Sequence, residues 1–473
     1  MHSDNEKITP RQSMIRGGIL LAVTFFAGWL AYYAGLTENS QVMAASVFVL
    51  IIGATLLFWN ARLAIAFIGI AILLGGRVLT LEQMIVSAEL DIILFLVGMM
   101  TMVGVLKDLG LFTWIIQLVI NMKAMNGKLF CIIVVVMSAV MASVVDEVTS
   151  IVFILALIFQ VCDTLKINPV PFVMIAVIGT NIGSSGTMLG NPVGILIGTK
   201  AGFSFADFVR WAAPVMFVSL LAALFIVLVW YRKDIQLLTE RLEARRKMQL
   251  GLGPLVRIPF KRGLFILVSA VTLIALHHKL ETLLGVQKNT LLIVAPLAIS
   301  GILMVWRSNR ARHYIEAEVE WWTLLFFMML FAVAGSLEHT GVTEHVAHNF
   351  VGTFGNNPVV LTPIIIFVTA LGSAFVDNIV FVAAFIPVIK ELNMTPLWWA
   401  MLFGACFGGN ITAIGSTANI VALGMMEKRY KKHIAFFEWI KIGAVVGFVT
   451  CVVAWILILL LMPYMPEMNQ IGH

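Results

Sequence analysis

Val177–Gly198 reads VIGTNIGSSGTMLGNPVGILIG. Apolar residues flank it, yet its middle holds Asn181, Ser184, Ser185, Thr187, Asn191 and Pro192 among several glycines. An unbroken apolar helix satisfies its own backbone and offers nothing to a polar solute. Interrupting it frees N–H and C=O groups and creates two half-helix ends. Gly183, Gly186 and Gly190 permit the backbone angles of such a break, and Pro192 stops or restarts a helix. The Asn, Ser and Thr side chains can satisfy the freed groups and ligate a solute. The stretch therefore predicts a broken transmembrane helix.

The rest of the chain makes that a membrane reading. Its 473 residues are 60% hydrophobic and only 12% charged, with a mean hydropathy of +0.99. A soluble domain is about 45–50% apolar and about 25% charged. At roughly 20 residues per span, with loops, the length predicts about ten to twelve membrane segments. The net charge of +6 is carried by short basic loops and reads as topology, with no nucleic-acid partner. Cys131, Cys162, Cys406 and Cys451 are scattered in apolar segments and lack metal-ligand spacing. There is no G-x-x-x-x-G-K-S/T, no HExxH and no G-x-S-x-G, so an enzyme has little support, and no cofactor or metal is expected.

A second break, FGACFGGNITAIGSTANIVALG (Phe403–Gly424), repeats the device with Asn410, Thr412, Ser416, Thr417 and Asn419. Leu94-Phe95, Gly104, Gly110 and Asp146 match Leu325-Phe326, Gly335, Gly341 and Asp377 at one offset, 377 − 146 = 231. Thr187–Asn191 (TMLGN) matches Thr412–Ser416 (TAIGS) at 412 − 187 = 225. The chain is thus an internal duplication. The first break is followed by GTKAGFSF and the second by EKRYKKH, and this contrast in basic content places the two loops on opposite sides. Inverted repeats with broken helices mark secondary transporters, with the solute near the breaks. Small polar residues also cap half-helices or pack helices in membranes, but their recurrence at matched positions favours a binding site.

Buried acids sit beside the breaks. SVVDEVTSIVF carries Asp146 and Glu147, and SAFVDNIVF carries Asp377 and Asn378. A charge at the bilayer centre costs roughly 2.5–3.5 kcal/mol, so these residues are read as proton- or cation-coupling groups. One or both aspartates could instead cap a helix after a hairpin turn. Lys107-Asp108 and Glu338-His339 are read as helix-end charges, and His277 and His278 as solvated.

The expected organisation is a cytosolic tail (1–16), a first transmembrane repeat with leading helices (17–230), a cytosolic basic linker (231–262), a second repeat (263–463) and an extracytoplasmic tail (464–473). The fold class is an all-α polytopic membrane protein with two inverted-topology repeats, each holding a re-entrant hairpin and a broken transmembrane helix. The N-terminus is expected in the cytosol and the chain in the inner (plasma) membrane.

NIGSSGTMLGNP resembles the NIGG-x-x-T-x-IGDPPN signature of the ion transporter superfamily, and FVDN with GGN-x-TAIGS-x-AN resembles its second-half partner. The likeness spans roughly Trp59 to Leu461. The groups it resembles are arsenite/antimonite efflux permeases, NhaD-type Na+/H+ antiporters, the melanosomal P protein and plant silicon-efflux transporters. The resemblance implies a secondary carrier in the lipid bilayer. It leaves a homodimer and a soluble ATPase subunit open as partners. Where sodium antiporters carry Gly-Asp-Pro, this chain has Gly190-Asn191-Pro192, and where many members carry Asp-Asn it has Asp146-Glu147. Neutral Asn191 removes an anionic ligand, so export of a neutral metalloid hydroxide, arsenite or antimonite, in exchange for protons is the leading expectation. Na+(Li+)/H+ antiport comes next, then anion or silicic acid transport.

Overall fold

The computed structural model describes residues 10–122, 124–248, 259–431 and 434–468. Among these, every regular element is a helix. The leading helices are α1 (Pro10–Tyr33), α2 (Asn39–Leu57), α3 (Arg62–Gly75) and α4 (Leu81–Ser87). The first repeat runs through α5 (Leu90–Asp108), α6 (Leu111–Ile120), α7 (Gly127–Val144), α8 (Glu147–Leu165), α9 (Val170–Gly183) and α10 (Pro192–Ala201). It closes with α11 (Phe205–Asp207) and α12 (Ala213–Trp230). Next come α13 (Arg232–Lys247), α14 (Lys261–Ala275), α15 (His277–Leu284), α16 (Thr290–Trp306) and α17 (Ala311–His313). The second repeat is α18 (Trp321–His339), α19 (Val342–Phe354), α20 (Pro358–Phe375), α21 (Asn378–Leu392), α22 (Thr395–Gly408), α23 (Thr417–Tyr430) and α24 (Phe436–Leu461). Among the described residues, 9 helices are long and apolar enough to cross a membrane, or up to 11 if each bent pair is one span, overlapping the sequence expectation.

The duplication is written in the helix caps. Gly110 and Gly341 stand before α6 and α19 in the left-handed region, φ +75° and +74°, where a side chain is strained. Asn126 caps α7 by accepting from Leu129 N at 2.8 Å, and Asn357 caps α20 by accepting from Val359 N at 2.9 Å. Asp146 and Asp377 cap α8 and α21. Asn191 and Ser416 cap α10 and α23. Each cap supplies an acceptor to an N–H that has no intrahelical partner, so local chemistry alone starts these helices at matched places.

Within a repeat, α9 packs on α7 and α22 on α20. Gly179 and Gly183 let α9 approach Val135 and Ala139, and Gly404 and Gly408 let α22 approach Ile366 and Ala370. This is the small-x-x-x-small spacing that draws membrane helices together. Between repeats the packing crosses over: α10 lies on α21, and α23 lies on α8. Likewise α3 packs on α18 and α16 on α5.

The repeats are inverted. Lys107, at the C-terminal end of α5, pairs with Glu318 just before α18, at 3.0 Å. At the opposite end Ser87, just before α5, meets His339, the last residue of α18, at 3.4 Å. The equivalent helices α5 and α18 therefore run antiparallel.

Three expectations change. The polar linker is not merely a loop: α13 buries Ile235, Leu238 and Leu242 and packs against α7. Thr239 Oγ1 accepts from Gly127 N at 2.9 Å, and Arg246 donates to Met125 O at 2.8 Å. Residues 249–258 of the linker, 1–9 and 469–473 of the tails and 432–433 of EKRYKKH lie outside the described residues, and α1 already starts at Pro10, inside the expected tail. His277 is not solvated: it is 1% exposed and its Nδ1 lies 2.7 Å from Ile274 O, while His278 is exposed.

Candidate functional site

Each hairpin tip is tied to its own repeat's break. Thr187 Oγ1 donates to Ser143 O, three residues before Asp146, and Thr412 Oγ1 donates to Ala374 O, three residues before Asp377. Ser143 Oγ also donates to Gly183 O at 2.6 Å, and Ser373 Oγ to Ala405 O at 2.7 Å. Hydroxyls thus meet Ser143 O and Ala374 O at the C-terminal ends of α7 and α20, and give Gly183 O and Ala405 O a second donor beside their backbone partners, as the low-dielectric interior favours.

The two breaks also join each other. Asn181 Nδ2 donates to Asn410 Oδ1 at 3.0 Å and to Asn419 Oδ1 at 2.9 Å. Asn419 Nδ2 in turn donates to Gly409 O at 2.7 Å and Thr412 O at 2.8 Å. Asn191 Nδ2 donates to Ser184 Oγ at 2.9 Å and to Cys406 Sγ at 3.3 Å, across the repeats. Replacing Asn181 by Leu removes both links and strands two buried amide oxygens. Interhelical bonds in membranes contribute about 0.6–2 kcal/mol each, so Asn181→Leu should cost about 1–3 kcal/mol, read as a lower melting temperature in detergent. An unchanged melt would mean that the junction contributes little.

Next to the junction lies a cavity of about 100 Å³. Its polar wall is Asp146, Glu147, Thr149, Asn191, Glu318, Glu320, Thr323 and Thr417, against an apolar wall that includes Phe95, Met99 and Phe327. Among the described residues no Lys, Arg or His lines it. Of the residues singled out by sequence, Asp146, Glu147, Asn191 and Thr417 reach this wall. Thr417 Oγ1 donates to Asp377 Oδ2 at 2.8 Å, which sets the buried Asp377 one side chain behind the cavity. Asn378 Oδ1 accepts from Ile379 N at 3.0 Å. Asn181, Ser184, Asn410 and Asn419 form the junction, and Ser185, donating to Ile182 O at 2.7 Å, and Ser416, accepting from Ala418 N at 3.1 Å, hold the backbone. Thr187 and Thr412 are the hairpin ties.

Sequence reasoning missed Glu318, Glu320 and Arg62. Glu320 sits 231 positions after Glu89, each immediately before the first helix of a repeat, and that repeat signal could have found it. Arg62 is 3% exposed, stacked over Trp59 at 3.8 Å and Phe326 at 4.7 Å, and its charge acts on Asp377 and Glu320. Its signal was a lone Arg at the head of an apolar run.

A second cavity, about 60 Å³, is lined by Ser87, Glu89, Phe331, Gly335 and Glu338, and by Lys200 and Lys390. Ser87, Glu89 and Phe331 are the repeat equivalents of Glu318, Glu320 and Met100 in the first cavity, each 231 away. Here the acids are paired: Lys200 with Glu89, and Lys390 with Glu338 at 2.7 Å. The two cavities are therefore counterparts at opposite ends of α5 and α18: the first is larger, with Glu318 paired to Lys107 and no lining cation among the described residues, and the second is smaller and bridged by two ion pairs.

Opposed repeats whose broken helices interlock beside an acid-walled cavity define a multi-pass membrane transporter. The family model of the CitMHS citrate transporters matches residues 47–404, and the chain belongs to that family. An uncharacterised transporter of Mycobacterium tuberculosis (strain ATCC 25618 / H37Rv) is 34% identical over 374 residues, covering 77% of this chain and 84% of that protein. The P protein of Homo sapiens is 25% identical over 456 residues, covering 79% of this chain and 54% of that protein. Among solved structures the YdaH transporter of Alcanivorax borkumensis, reported to have an unusual topology, matches with a TM-score of 0.51 at 14% identity, over 91% of this chain and all of that one. That likeness concerns the fold alone. The resemblance read in the sequence holds at the level of the transporter family and the P protein.

Proposed function

We propose that the chain is a secondary active transporter that exchanges a small solute for protons by alternating access, with the solute held between the hairpin tips and the helix breaks. One observation carries the reading: the interlocked breaks abut a cavity walled by Asp146, Glu147, Glu318 and Glu320 together with the neutral Asn191 and Thr417. Carboxyl groups can take up and release protons, and opposed repeats can open either end in turn. The paired, smaller cavity at the far end suits the closed half of such a cycle. On this reading the protein lies in the cell's inner membrane, with the 231–262 linker cytosolic and the 464–473 tail outside.

The wall favours solutes that need no counter-cation. A neutral trihydroxide, arsenite or antimonite, meets hydroxyl, amide and carboxyl partners there, as would silicic acid. A second reading, Na+ or Li+ exchange for protons, is favoured by the four wall carboxyls. The family name raises citrate. The N-termini of α10 and α23 suit carboxylates, but the wall acids oppose a free polyanion.

Everted membrane vesicles loaded acidic inside test this. Arsenite and antimonite should accumulate and dissipate the proton gradient, and reversing the gradient should stop uptake. Silicic acid, Na+, Li+ and citrate run in parallel. Na+ dissipating the gradient with no arsenite uptake would replace the first reading by the second, and citrate uptake alone would remove both. Flux indifferent to the gradient would indicate a passive pore.

A further inference from the structure

The duplication separates what the repeats share from what is particular to one of them. Asp146 and Asp377 are equivalent, and both are helix caps. Asp146 Oδ1 accepts from Thr149 N at 2.7 Å, and Asp377 Oδ1 from Ile379 N at 3.1 Å. Asp377 Oδ2 is also engaged, by Thr417 Oγ1 at 2.8 Å. A carboxylate so occupied is held by the backbone that it starts. The next position differs. Repeat one has Glu147, and repeat two has neutral Asn378, again 231 apart. Capping explains the pair that is alike and leaves the unlike pair unexplained.

Glu147 has the surroundings of a working group. It is 2% exposed and lines the first cavity. Its Oε2 is buried with no hydrogen-bond partner. The amides of Asn191 and Asn378 approach it from both repeats. The charged and titratable groups facing it are Asp146 on its own hairpin, Asp377 from α21 and Cys406 from α22. Glu318 and Glu320 share its cavity, with Lys107 held on Glu318 and Arg62 acting on Asp377 and Glu320. A buried carboxyl with an unpaired oxygen is stable when neutral and costly when ionised, unless water reaches it.

Resting on the proton-coupled reading above, we infer that Glu147 is the group that carries the proton through the transport cycle, and that Asp146 and Asp377 are positioning residues that hold it. Glu147 Oε2 takes one proton from water entering the first cavity and becomes a carboxylic acid. The proton stays while the cavity is closed to water. It leaves to water when the cavity opens to the other side. Amides from both repeats, Asn191 of the first break and Asn378 of the second hairpin tip, face Glu147, so its proton affinity follows their relative position and links the charge to the movement of the repeats.

The test needs no solute. Full-length protein in lipid nanodiscs is titrated from acidic to alkaline pH while infrared difference spectroscopy records the protonated carboxyl C=O stretch. The wild type should show a buried-carboxyl signal that disappears as pH rises. Glu147→Gln should remove that signal, and Asp146→Asn and Asp377→Asn, which keep their caps, should retain it. Glu147→Asp should keep it with a displaced midpoint. Persistence of the signal in Glu147→Gln, its loss in a folded Asp377→Asn, an unmoved midpoint in Glu147→Asp, or no signal in the wild type would each overturn the assignment. If Glu147→Gln does not fold, the Glu147→Asp midpoint decides. Failure of the vesicle assay with this titration intact would remove the solute reading and leave Glu147 as a titrating site.

Discussion

Gly183→Val and Gly408→Val should each leave almost no folded protein. A Cβ on Gly183 would sit 2.2 Å from Ala139 Cα and 2.5 Å from Ala139 O. On Gly408 it would sit 2.4 Å from both Ala370 Cα and Ala370 O. The obstacles are backbone atoms of α7 and α20, which no rotamer change can clear. Overpacking costs about 1–3 kcal/mol where side chains can yield, and more where they cannot. The displaced helix ends in the break and in the Asn181 junction, so the damage reaches the cavity. Gly301→Ala is the control, because a Cβ there meets nothing within 4 Å and Ala favours α16. Yield, monodispersity on size exclusion and melting temperature measure the outcome. Wild-type behaviour in both valine variants would rule out this close approach.

Asp377→Ala should be the most damaging single change at the site. It removes the cap of α21, a loss of about 0.5–2 kcal/mol. It also takes the carboxylate partner from the half-buried Thr417 hydroxyl, a loss of about 0.5–1.5 kcal/mol, while Arg62 keeps Glu320 in its field. Together the loss should be about 1–3 kcal/mol. Asp377→Asn keeps an acceptor for Ile379 N and should recover the capping part. Thr417→Val should cost only about 1 kcal/mol, the net value of one hydrogen bond. Melting curves of the three variants in one detergent check this order. Equal melts for Asp377→Ala and Asp377→Asn would show that the cap is not what Asp377 contributes.

Much of this architecture was legible in the chain. A constant offset of 231 announced the duplication, and the caps at Asn126/Asn357 and Asp146/Asp377 obey it. The breaks were legible because Gly, Pro, Asn, Ser and Thr have no other reason to cluster inside an apolar run. The division of labour within each break was not. Ser185, Ser416 and Asn191 all hold backbone, yet of the three Asn191 alone also lines the cavity. Which one does so depends on where the opposite repeat lies. Glu318 and Glu320 were invisible for the same reason: they precede α18 in the chain but meet α5 and α8 across the interface. His277 was misread because a polar loop motif says nothing of the helix turn that buries it.

The crossed placement of α10 on α21 and α23 on α8 has a consequence for biogenesis. While the ribosome is still translating the second half, the first half is already in lipid with an open helix break and an amide, Asn181, whose acceptors do not yet exist. Insertion and packing are therefore separate events, and a nascent chain halted at the linker presents a polar gap to the bilayer. Polar groups left facing lipid in such a fragment cost several kcal/mol each until the second half supplies Asn410 and Asn419 as their partners.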